Sequence, residues 1–407
     1  MPKADILIKN ANELITLKGP NQPRIKKQMN NLAIIQGGSI AIRDGKILAV
    51  GRNIKYYADK IIDASGKVVM PGFVDPHTHV VFAGSREFEL DMKLKGLSYM
   101  EILEKGGGIL YTVNETRKAS EENLFKQSCK RLDAMLFYGT TTCEAKSGYG
   151  LNTSTELKIL KVQKKLNEKH KMEIVSTFLG AHAIPKGRRA GKYTSMIIDE
   201  ILPKVKGLAK FCDVFCEKGV FSVDQSRDIL NAGKAQGLIP KIHADEIVNT
   251  GGAELAAEVG AISADHLLMS SNHGLKQMAK KGVIAVLLPG TPFSLMLDKY
   301  APGRKIIDMG VPVALATDIN PNCWTENMQF IIQLACLKMK MTPAEAITAS
   351  TFNAACAIKT NDLVGSLEKG KQADIIILDS PNHKFIPYHF GVNLVETVIK
   401  KGTLLHN

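Results

Sequence analysis

Apolar residues in the middle of the chain are grouped in short runs, and the stretches between these runs show helical spacing. The runs lie at residues 68–74, 140–143, 174–179, 211–215, 239–243, 262–265, 283–288 and 311–316. One helix is predicted to begin at Ser120 and to continue through Leu124 and Leu136, and another extends from Thr155 to Leu166. Eight buried strands that alternate with helices predict an α/β fold, a (β/α)8 barrel of the TIM type.

An open, doubly wound parallel sheet is the alternative arrangement for the same alternation of elements. In the dinucleotide-binding form of that sheet, a Gly-x-Gly-x-x-Gly turn follows the first strand. No such turn follows residues 68–74. We therefore favour the closed barrel.

Both ends of the chain show a different pattern, with short strands and tight turns. Strands are predicted at residues 4–8, 32–36, 39–43, 47–50, 60–63, 374–378 and 394–399. The pairs Gly37-Gly38 and Asp44-Gly45 are interpreted as turns between strands. We expect the two ends to build one small β-sandwich domain, residues 1–70 with 358–407, beside a catalytic barrel at residues 71–357.

The composition is that of a globular protein with room for one large and one smaller domain. The chain has 407 residues, of which 45% are hydrophobic and 23% are charged. No apolar run approaches the roughly 18 residues that a membrane span needs, and the N-terminal segment does not resemble a secretory signal. Seven cysteines without framework spacing fit a reducing compartment. We expect a cytoplasmic protein with no membrane partner.

The net charge of +13 raises the question of nucleic-acid binding. The lysines are spread over many segments, and the chain has a single Trp and only 6% aromatic residues. The densest basic cluster, residues 186–192, is interpreted as a solvated surface loop. We expect no nucleic-acid partner, and the basic bias instead favours a small anionic substrate through electrostatic steering.

Polar residues are concentrated where the predicted barrel strands end. Five of the ten histidines lie at or just past such an end, and Asp318 follows the last strand. These five are His77, His79, His182, His243 and His266. One histidine in such a place is more often structural, but several from different strands are hard to explain as packing, because each would need a buried partner. Barrel enzymes build their active sites at this rim.

The histidine pair after the first strand indicates a metal site. His77 and His79 are two residues apart on an extended segment, so both side chains point to one side. His243 from the fifth strand and Asp318 from the eighth would complete a set of three imidazoles and one carboxylate, which suits Zn²⁺, with Fe as the rival. Such an ion lowers the pKa of bound water to about 7. The sequence therefore predicts a metal-dependent hydrolase.

Two residues near these ligands are candidates for catalysis. Glu246 lies three residues past His243 and is interpreted as the proton shuttle. The alternative is a carboxylate placed at a helix N-terminus, where the helix dipole favours it. His266 could polarise a carbonyl group or orient the water. Asp245 is interpreted as structural.

Two segments resemble motifs of the amidohydrolase superfamily. Residues 71–79, Pro-Gly-Phe-Val-Asp-Pro-His-Thr-His, resemble its first-strand motif, and residues 365–374 resemble its return into the small β domain. Further segments over nearly the full length resemble the branch that opens the ring of 4-imidazolone-5-propanoate in histidine degradation and yields N-formimidoyl-L-glutamate. These segments are residues 79–86, 106–109, 146–151, 178–182, 243–246 and 317–321.

The resemblance implies a role for each matching residue. It implies one Zn²⁺ or Fe ion per subunit, held by the four ligands named above. Substrate contacts are implied for Arg86, Tyr149, His182, Glu246, Asn320, Asn322 and Cys323. The last two depart from the pattern, because that branch commonly has Gly followed by Ser or Thr. Contacts from the backbone could survive this change, whereas a contact from a side-chain hydroxyl could not.

The residue chemistry agrees with the implied substrate. A propionate group requires a cationic anchor, and Arg86 offers a bidentate one on the correct rim. Its alternative is a surface ion pair with Glu87 or Glu89. Tyr149 lies between two glycines, in a turn that we expect to present the side chain instead of burying it.

The number of ions depends on the fourth strand. Two-metal members of the superfamily use a modified lysine at the end of that strand, whereas here it ends in Phe215-Cys216-Glu217, with Lys218 beyond. We therefore expect one ion, and by analogy with the superfamily a possible homodimer.

Two alternative functions stay open: a one-metal deaminase of a heterocycle such as cytosine or guanine, and a non-catalytic barrel scaffold. Arg86 and residues 146–151 favour the imidazolone substrate over the first, and the complete ligand set argues against the second.

Overall fold

The computed structural model describes residues 2–97 and 99–406, whose strands form two eight-stranded sheets. The first five strands are β1 (Lys3–Ile15), β2 (Ile34–Arg43), β3 (Lys46–Gly51), β4 (Tyr57–Asp63) and β5 (Val68–Pro71). The next eight are β6 (Phe73–Asp75), β7 (Thr140–Lys146), β8 (Glu173–Ala181), β9 (Phe211–Cys216), β10 (Ile239–Ala244), β11 (Ser263–His266), β12 (Ile284–Leu287) and β13 (Val313–Leu315). The last three are β14 (Ile375–Leu378), β15 (Val395–Lys400) and β16 (Thr403–His406).

Strands β6 to β13 follow one another in spatial order and pair in parallel, which confirms the predicted (β/α)8 barrel. Each predicted apolar run overlaps one of these strands, but the first run, residues 68–74, is divided between two domains. Its first half is β5 of the small domain, and its second half is β6 of the barrel. Gly72 stands between them, where any side chain would collide with Thr141 of β7.

Most of the helices connect barrel strands, and the last four follow the final strand of the barrel. The helices are α1 (Phe88–Leu94), α2 (Tyr99–Glu104), α3 (Ile109–Lys118), α4 (Glu121–Phe137), α5 (Thr153–Lys169), α6 (Ala190–Met196), α7 (Leu202–Val205), α8 (Val223–Ala235), α9 (Gly252–Val259), α10 (Asn272–Lys281), α11 (Gly290–Ser294), α12 (Gly303–Asp308), α13 (Met328–Met339), α14 (Pro343–Ala349), α15 (Phe352–Ala357) and α16 (Phe385–Tyr388), with a 3₁₀ helix at Lys26–Asn30 and a π-helical turn at Ile197–Ile201. Side-chain caps fix the starts of the long helices. In α4, for example, the hydroxyl of Ser120 accepts from the Asn123 N–H, as the sequence predicted for this start.

The barrel closes just past the ends of β13 and β6, through residues that the sequence predicts to bind metal. The Asp318 N–H donates to the His77 carbonyl at 3.1 Å, and the His79 N–H donates to the Ile319 carbonyl at 2.9 Å. These two bonds place both halves of the proposed ligand set side by side at the C-terminal rim.

Strands from both chain ends form the second sheet, in the order β16-β15-β14-β5-β1-β2-β3, with β4 also paired to β1. The sheet branches at β1, because β4 pairs with the first half of this long strand and β5 with its second half. Apolar side chains from both branches share one core, as in a sandwich, and they include Ile8, Leu14, Ile40 and Ile377. The predicted small β domain is thus present, and its boundaries at residues 70 and 358 stay a prediction.

One predicted turn is wrong. Gly37 and Gly38 lie inside β2, which continues without interruption from Ile34 to Arg43. The strand pairs with β1 on both sides of Gly37, which has a positive φ of 61°, and β1 carries a register shift between Ile8 and Ala11. Asp44 and Gly45 form the turn between β2 and β3, as predicted.

Among the described residues, no helix has both the length and the apolar character that crossing a membrane requires.

Candidate active site and metal centre

The four predicted metal ligands converge at the C-terminal end of the barrel. Ligand atoms of His77, His79 and His243 all lie within 4.8 Å of one another. An oxygen of Asp318 lies 3.5 Å from Nε2 of His77 and 3.7 Å from Nε2 of His79. All four side chains are buried. The set therefore has the spacing that a single ion needs.

Two carboxylates, one on β9 and one on β11, orient two of the histidine rings. Nδ1 of His77 lies 2.6 Å from Asp265, and Nδ1 of His243 lies 3.1 Å from Asp213. A ring that donates its Nδ1–H to a carboxylate carries its lone pair on Nε2, the tautomer that binds metal. The Nε2 atoms of His77 and His243 are buried and have no hydrogen-bond partner within the described residues. Because buried polar atoms are otherwise almost always paired, these two atoms fit a metal ion.

The electrostatics of the site favour the ligating protonation state for two of the four residues and oppose it for the other two. Burial, with the charge of Lys146 and the other histidines, keeps the pKa of His77 well below its usual value, and burial likewise lowers the pKa of His79. Burial raises the pKa of Asp318 to about 6, although a hydrogen bond from Thr291 opposes this effect. The pKa of His243 is raised, because Asp213 outweighs the opposing effect of burial. An ion would therefore displace a proton from this ring when it binds.

His266 lies beside the ligand set. Its ring centroid is 5.2 Å from that of His243 and 5.5 Å from that of His77, and its backbone has a left-handed φ of 77°. A ring nitrogen of His266 also forms a close group with His77 and Asp318, so the geometry allows it to act as a ligand or as a group beside the ion. Its predicted catalytic role stays a prediction.

Glu246 lies beside His266 and does not cap a helix. Its carboxylate lies 3.6 Å from Nδ1 of His266, and burial, with the nearby charge of Asp318, raises its pKa to about 8. A carboxyl group with a pKa near neutrality can both accept and return a proton. The alternative, a carboxylate at a helix N-terminus, is wrong for Glu246. Helix α9 begins only at Gly252, and another residue caps it.

That cap is Asp245, in agreement with its structural interpretation. One carboxylate oxygen accepts from the Gly252 N–H at 3.0 Å, and the other accepts from the Ala253 N–H at 3.2 Å and from the Ser270 hydroxyl at 3.0 Å. Two adjacent carboxylates thus have separate tasks: Asp245 holds α9, and Glu246 faces the site.

Tyr149 is buried, which corrects the expectation that its turn presents it to solvent. The carboxylate of Glu156 accepts backbone N–H groups from Gly148, Gly150 and Leu151 at 3.0, 2.7 and 2.9 Å. These bonds fold the turn back into the mouth of the barrel. The ring of Tyr149 consequently lies 5.5 Å from that of His79 and is only 3% exposed.

His182 stacks on the ligand set. Its ring is nearly parallel to that of His79 at a centroid distance of 4.9 Å, and Nδ1 lies 3.3 Å from the Gly148 carbonyl. Burial lowers the pKa of His182 to about 3, so the ring is neutral at physiological pH. Tyr149 and His182 therefore form a neutral wall beside the metal site, their centroids 5.4 Å apart.

Arg86 is engaged by Glu89, the alternative that the sequence left open, but the pair is buried and not on the surface. Nε and Nη2 of Arg86 donate to the two oxygens of Glu89 at 2.7 and 2.8 Å. Glu89 also accepts from the Gly108 N–H at 2.6 Å, which ties the glycine run at residues 106–108 to α1. The remaining N–H groups of Arg86 are the ones that could bind a substrate.

The three predicted substrate contacts in the loop after β13 are bonded within the protein. The Asn320 side chain accepts from the N–H groups of Asn322 and Cys323 at 2.7 and 3.1 Å and donates to the Asp318 carbonyl at 2.7 Å. Asn322 accepts from the ammonium of Lys93 at 2.8 Å, and Cys323 is 1% exposed. The loop is held in one shape beside the metal site, and its predicted substrate contacts stay a prediction.

A cluster of charged residues beneath the candidate metal site was not predicted from the sequence. Its members share complete burial and positions on barrel strands, and they are Glu144, Lys146, Asp213, Lys241 and Asp265. The available signal was a charged residue in the middle of an otherwise apolar strand, where alternation points the side chain into the barrel. On β9 the inward residue is Asp213, and Lys218 lies exposed beyond the end of the strand. This strand therefore brings no lysine into the barrel, where two-metal members of the superfamily have one.

Comparison with known proteins agrees with this architecture. The sequence profile of the amidohydrolase family matches residues 68–405. An adenosine deaminase from Xanthomonas campestris, whose structure contains zinc, superposes with a TM-score of 0.76 at 17% identity, covering 100% of this chain and 93% of that one. The ochratoxinase of A. niger gives a TM-score of 0.72 at 19% identity, with 100% and 96% covered. The chain belongs to the amidohydrolase family, a metal-dependent group of hydrolases with this fold.

Relatives of higher identity define the branch within that family. The imidazolonepropionase of Alkaliphilus metalliredigens is 54% identical over 412 residues, which cover 98% of each chain. That of Geobacillus kaustophilus is 54% identical over 416 residues, 99% of this chain and 98% of the relative. The chain belongs to the imidazolonepropionase branch of the amidohydrolases.

Proposed function

We propose that this protein is an imidazolonepropionase, which hydrolyses 4-imidazolone-5-propanoate to N-formimidoyl-L-glutamate in histidine degradation. The proposal rests on a sequence identity of 54% with two proteins of that name over nearly the whole chain. A complete set of candidate ligand residues at the barrel rim supports it. In the reaction, water adds across the ring C–N bond next to the carbonyl. The carbonyl carbon gains the oxygen and becomes a carboxylate, and the ring nitrogen gains a proton.

We propose one ion per subunit, Zn²⁺ or Fe, held by His77, His79, His243 and Asp318. Three imidazoles and one carboxylate are a donor set that both metals accept. Strand β9 has no lysine that faces the barrel to bridge a second ion. When bound, the ion supplies a water molecule whose pKa is about 7 and polarises the carbonyl oxygen.

Glu246 and His266 are proposed to handle the proton. Glu246, with a pKa raised to about 8, takes the proton from the attacking water and delivers it to the departing ring nitrogen. Burial keeps the pKa of His266 well below its usual value, so this ring is neutral and can donate a hydrogen bond to the ring carbonyl.

The remaining contacts are proposed to orient the substrate. Arg86 binds the propionate through the N–H groups that Glu89 leaves free. Tyr149 and His182 contact the flat ring from one side. Asn320, Asn322 and Cys323 lie at the formimidoyl-glutamate end, where backbone groups replace the hydroxyl contact that this loop does not offer.

We also propose the setting in which the protein works. It acts in the cytoplasm on a small anionic substrate, without a nucleic-acid or membrane partner, and as a homodimer. The charge of +13 supports attraction of an anion, and the dimer rests on analogy with the superfamily.

A substrate panel tests the proposed function. The purified protein is offered freshly prepared imidazolone propionate, cytosine and guanine, and the products are identified by mass spectrometry while bound metal is counted. We expect N-formimidoyl-L-glutamate from the first compound, no ammonia from the other two, and one equivalent of metal per chain. Deamination of either base without ring opening of the imidazolone would replace the proposal with the deaminase alternative, and two equivalents of metal would overturn the one-ion centre.

A further inference from the structure

Lys146, at the end of β7, occupies the middle of the buried charged cluster. Its ammonium lies 2.6 Å from Asp213, 3.0 Å from Glu144 and 3.3 Å from Asp265, and none of these side chains is exposed. Burial alone would lower the pKa of Lys146, but the three carboxylates raise it above its usual value, so the side chain is a cation. An amine surrounded in this way has no access to substrate and serves the cluster itself.

Two of these carboxylates are the ones that orient the metal-binding histidines. The oxygen of Asp213 that accepts from Lys146 lies 3.1 Å from Nδ1 of His243. The oxygen of Asp265 that faces Lys146 lies 2.6 Å from Nδ1 of His77. One ammonium therefore links two histidines on opposite sides of the site, through one shared oxygen on each side.

Removing the cation would release both carboxylates. Two anions that face each other in a buried, low-dielectric space repel strongly, so one would take up a proton or turn away. The histidine beyond it would then lose the acceptor that fixes its tautomer and ring orientation. Partners of this kind typically change metal affinity by about 10- to 100-fold.

We propose that Lys146 is a positioning residue that holds Asp213 and Asp265 in place, so that His243 and His77 offer Nε2 to the same ion. This inference rests on the metal centre of the proposed function. In it, Lys146 does not contact the ion and acts on the ligands through Asp213 and Asp265. It predicts that metal affinity depends on this lysine more than on any matched buried cation.

Lys241 is the matched control, because it is a second fully buried lysine that pairs with the same glutamate. Its ammonium is equally buried and lies 3.1 Å from the same carboxylate, Glu144. It also donates to the Pro76 carbonyl at 3.1 Å. It makes no ion pair with Asp213 or Asp265 among the described residues.

The test compares the zinc affinity of two double variants, measured by competition with a chromophoric chelator. Lys146→Met with Glu144→Gln and Lys241→Met with Glu144→Gln each remove one buried cation and the anion that both lysines share. The charge of the cluster is thereby preserved, which favours folding of both variants. We expect the zinc dissociation constant to rise about 10- to 100-fold in the Lys146 variant and much less in the Lys241 variant. Thermal unfolding of the metal-free proteins should show similar destabilisation in both.

A second readout reports on ligand geometry. With Co²⁺ in place of zinc, the visible absorption bands should shift in the Lys146 variant and stay unchanged in the Lys241 variant. Equal loss of zinc affinity in both variants, or an unchanged affinity in the Lys146 variant, would overturn the proposal. If the Lys146 double variant does not fold, Lys146→Gln, which keeps a polar donor, is measured by the same competition against Lys241→Gln with the same two outcomes. Activity toward imidazolone propionate is recorded separately, so a lysine-dependent metal affinity in a protein without that activity would reject the proposed function alone.

Discussion

The Arg86–Glu89 pair allows a quantitative prediction about substrate binding. An arginine has five N–H donors, and Arg86 directs two of them at Glu89, which leaves three for a ligand. A charge-assisted hydrogen bond contributes about 1.5–3 kcal/mol. Loss of the anchor should therefore weaken binding of the propionate about 10- to 150-fold. Because the propionate is remote from the bond that breaks, the loss should fall on KM more than on kcat.

The single substitution Arg86→Met would confuse two effects. It would leave Glu89 as a buried carboxylate without its cation, and breaking a buried pair in this way destabilises a protein by about 3–5 kcal/mol. The double variant Arg86→Met with Glu89→Gln removes this problem, since the amide is neutral and can still accept from the Gly108 N–H. Glu89→Gln alone is the matched control, because it keeps the guanidinium.

Steady-state kinetics on imidazolone propionate, with thermal unfolding of each variant, separate the two effects. We expect the control to bind substrate at least as well as the parent protein, because Arg86 then carries an uncompensated charge. The double variant should show a KM raised about 10- to 150-fold with a melting temperature no lower than that of the control, in which Arg86 has lost its anion. A KM equal to that of the control would refute the role of Arg86 as the anchor.

Three further predictions follow from the site. Glu246→Gln should lower kcat about 10²- to 10⁴-fold while metal analysis finds the ion still bound, and near-normal turnover would reject the proton shuttle. The pKa of Glu246 is raised from 4.5 to about 8, so the folded protein holds this proton more tightly than the unfolded chain does. The free energy of unfolding of metal-free protein should therefore fall as pH rises through this window, and less so in Glu246→Gln; parallel pH profiles in urea titrations would contradict this sign. Asp245→Ala should cost about 1–2 kcal/mol in denaturant unfolding, because it removes the cap of α9, and an unchanged midpoint would show that the cap is dispensable.

The barrel was predictable because its evidence is local. Each strand is a short apolar run, and the alternation of strand and helix specifies the order in which the strands pair. The misassigned turn at Gly37-Gly38 shows where local evidence fails. A glycine pair is compatible both with a turn and with a strand beside an irregular partner, and only the pairing with β1 decides between them.

The convergence of the four candidate metal ligands was predictable from their positions at strand ends, where parallel strands meet at one rim. The residues behind them were not. Asp213 and Asp265 lie within strands, and nothing along the chain states that their oxygens meet one lysine from β7. The burial of Tyr149 was likewise hidden, because it depends on Glu156 folding the glycine turn inward.

Chelator-sensitive ring opening is the measurement that tests the central claim most directly. Freshly made imidazolone propionate is mixed with the purified protein, and the loss of its ultraviolet absorbance is followed with and without prior treatment by a metal chelator. We predict rapid decay with the untreated protein, decay at the spontaneous rate after chelation, and recovery when Zn²⁺ or Fe is restored. Decay at the spontaneous rate with metal-loaded, folded protein would contradict the account.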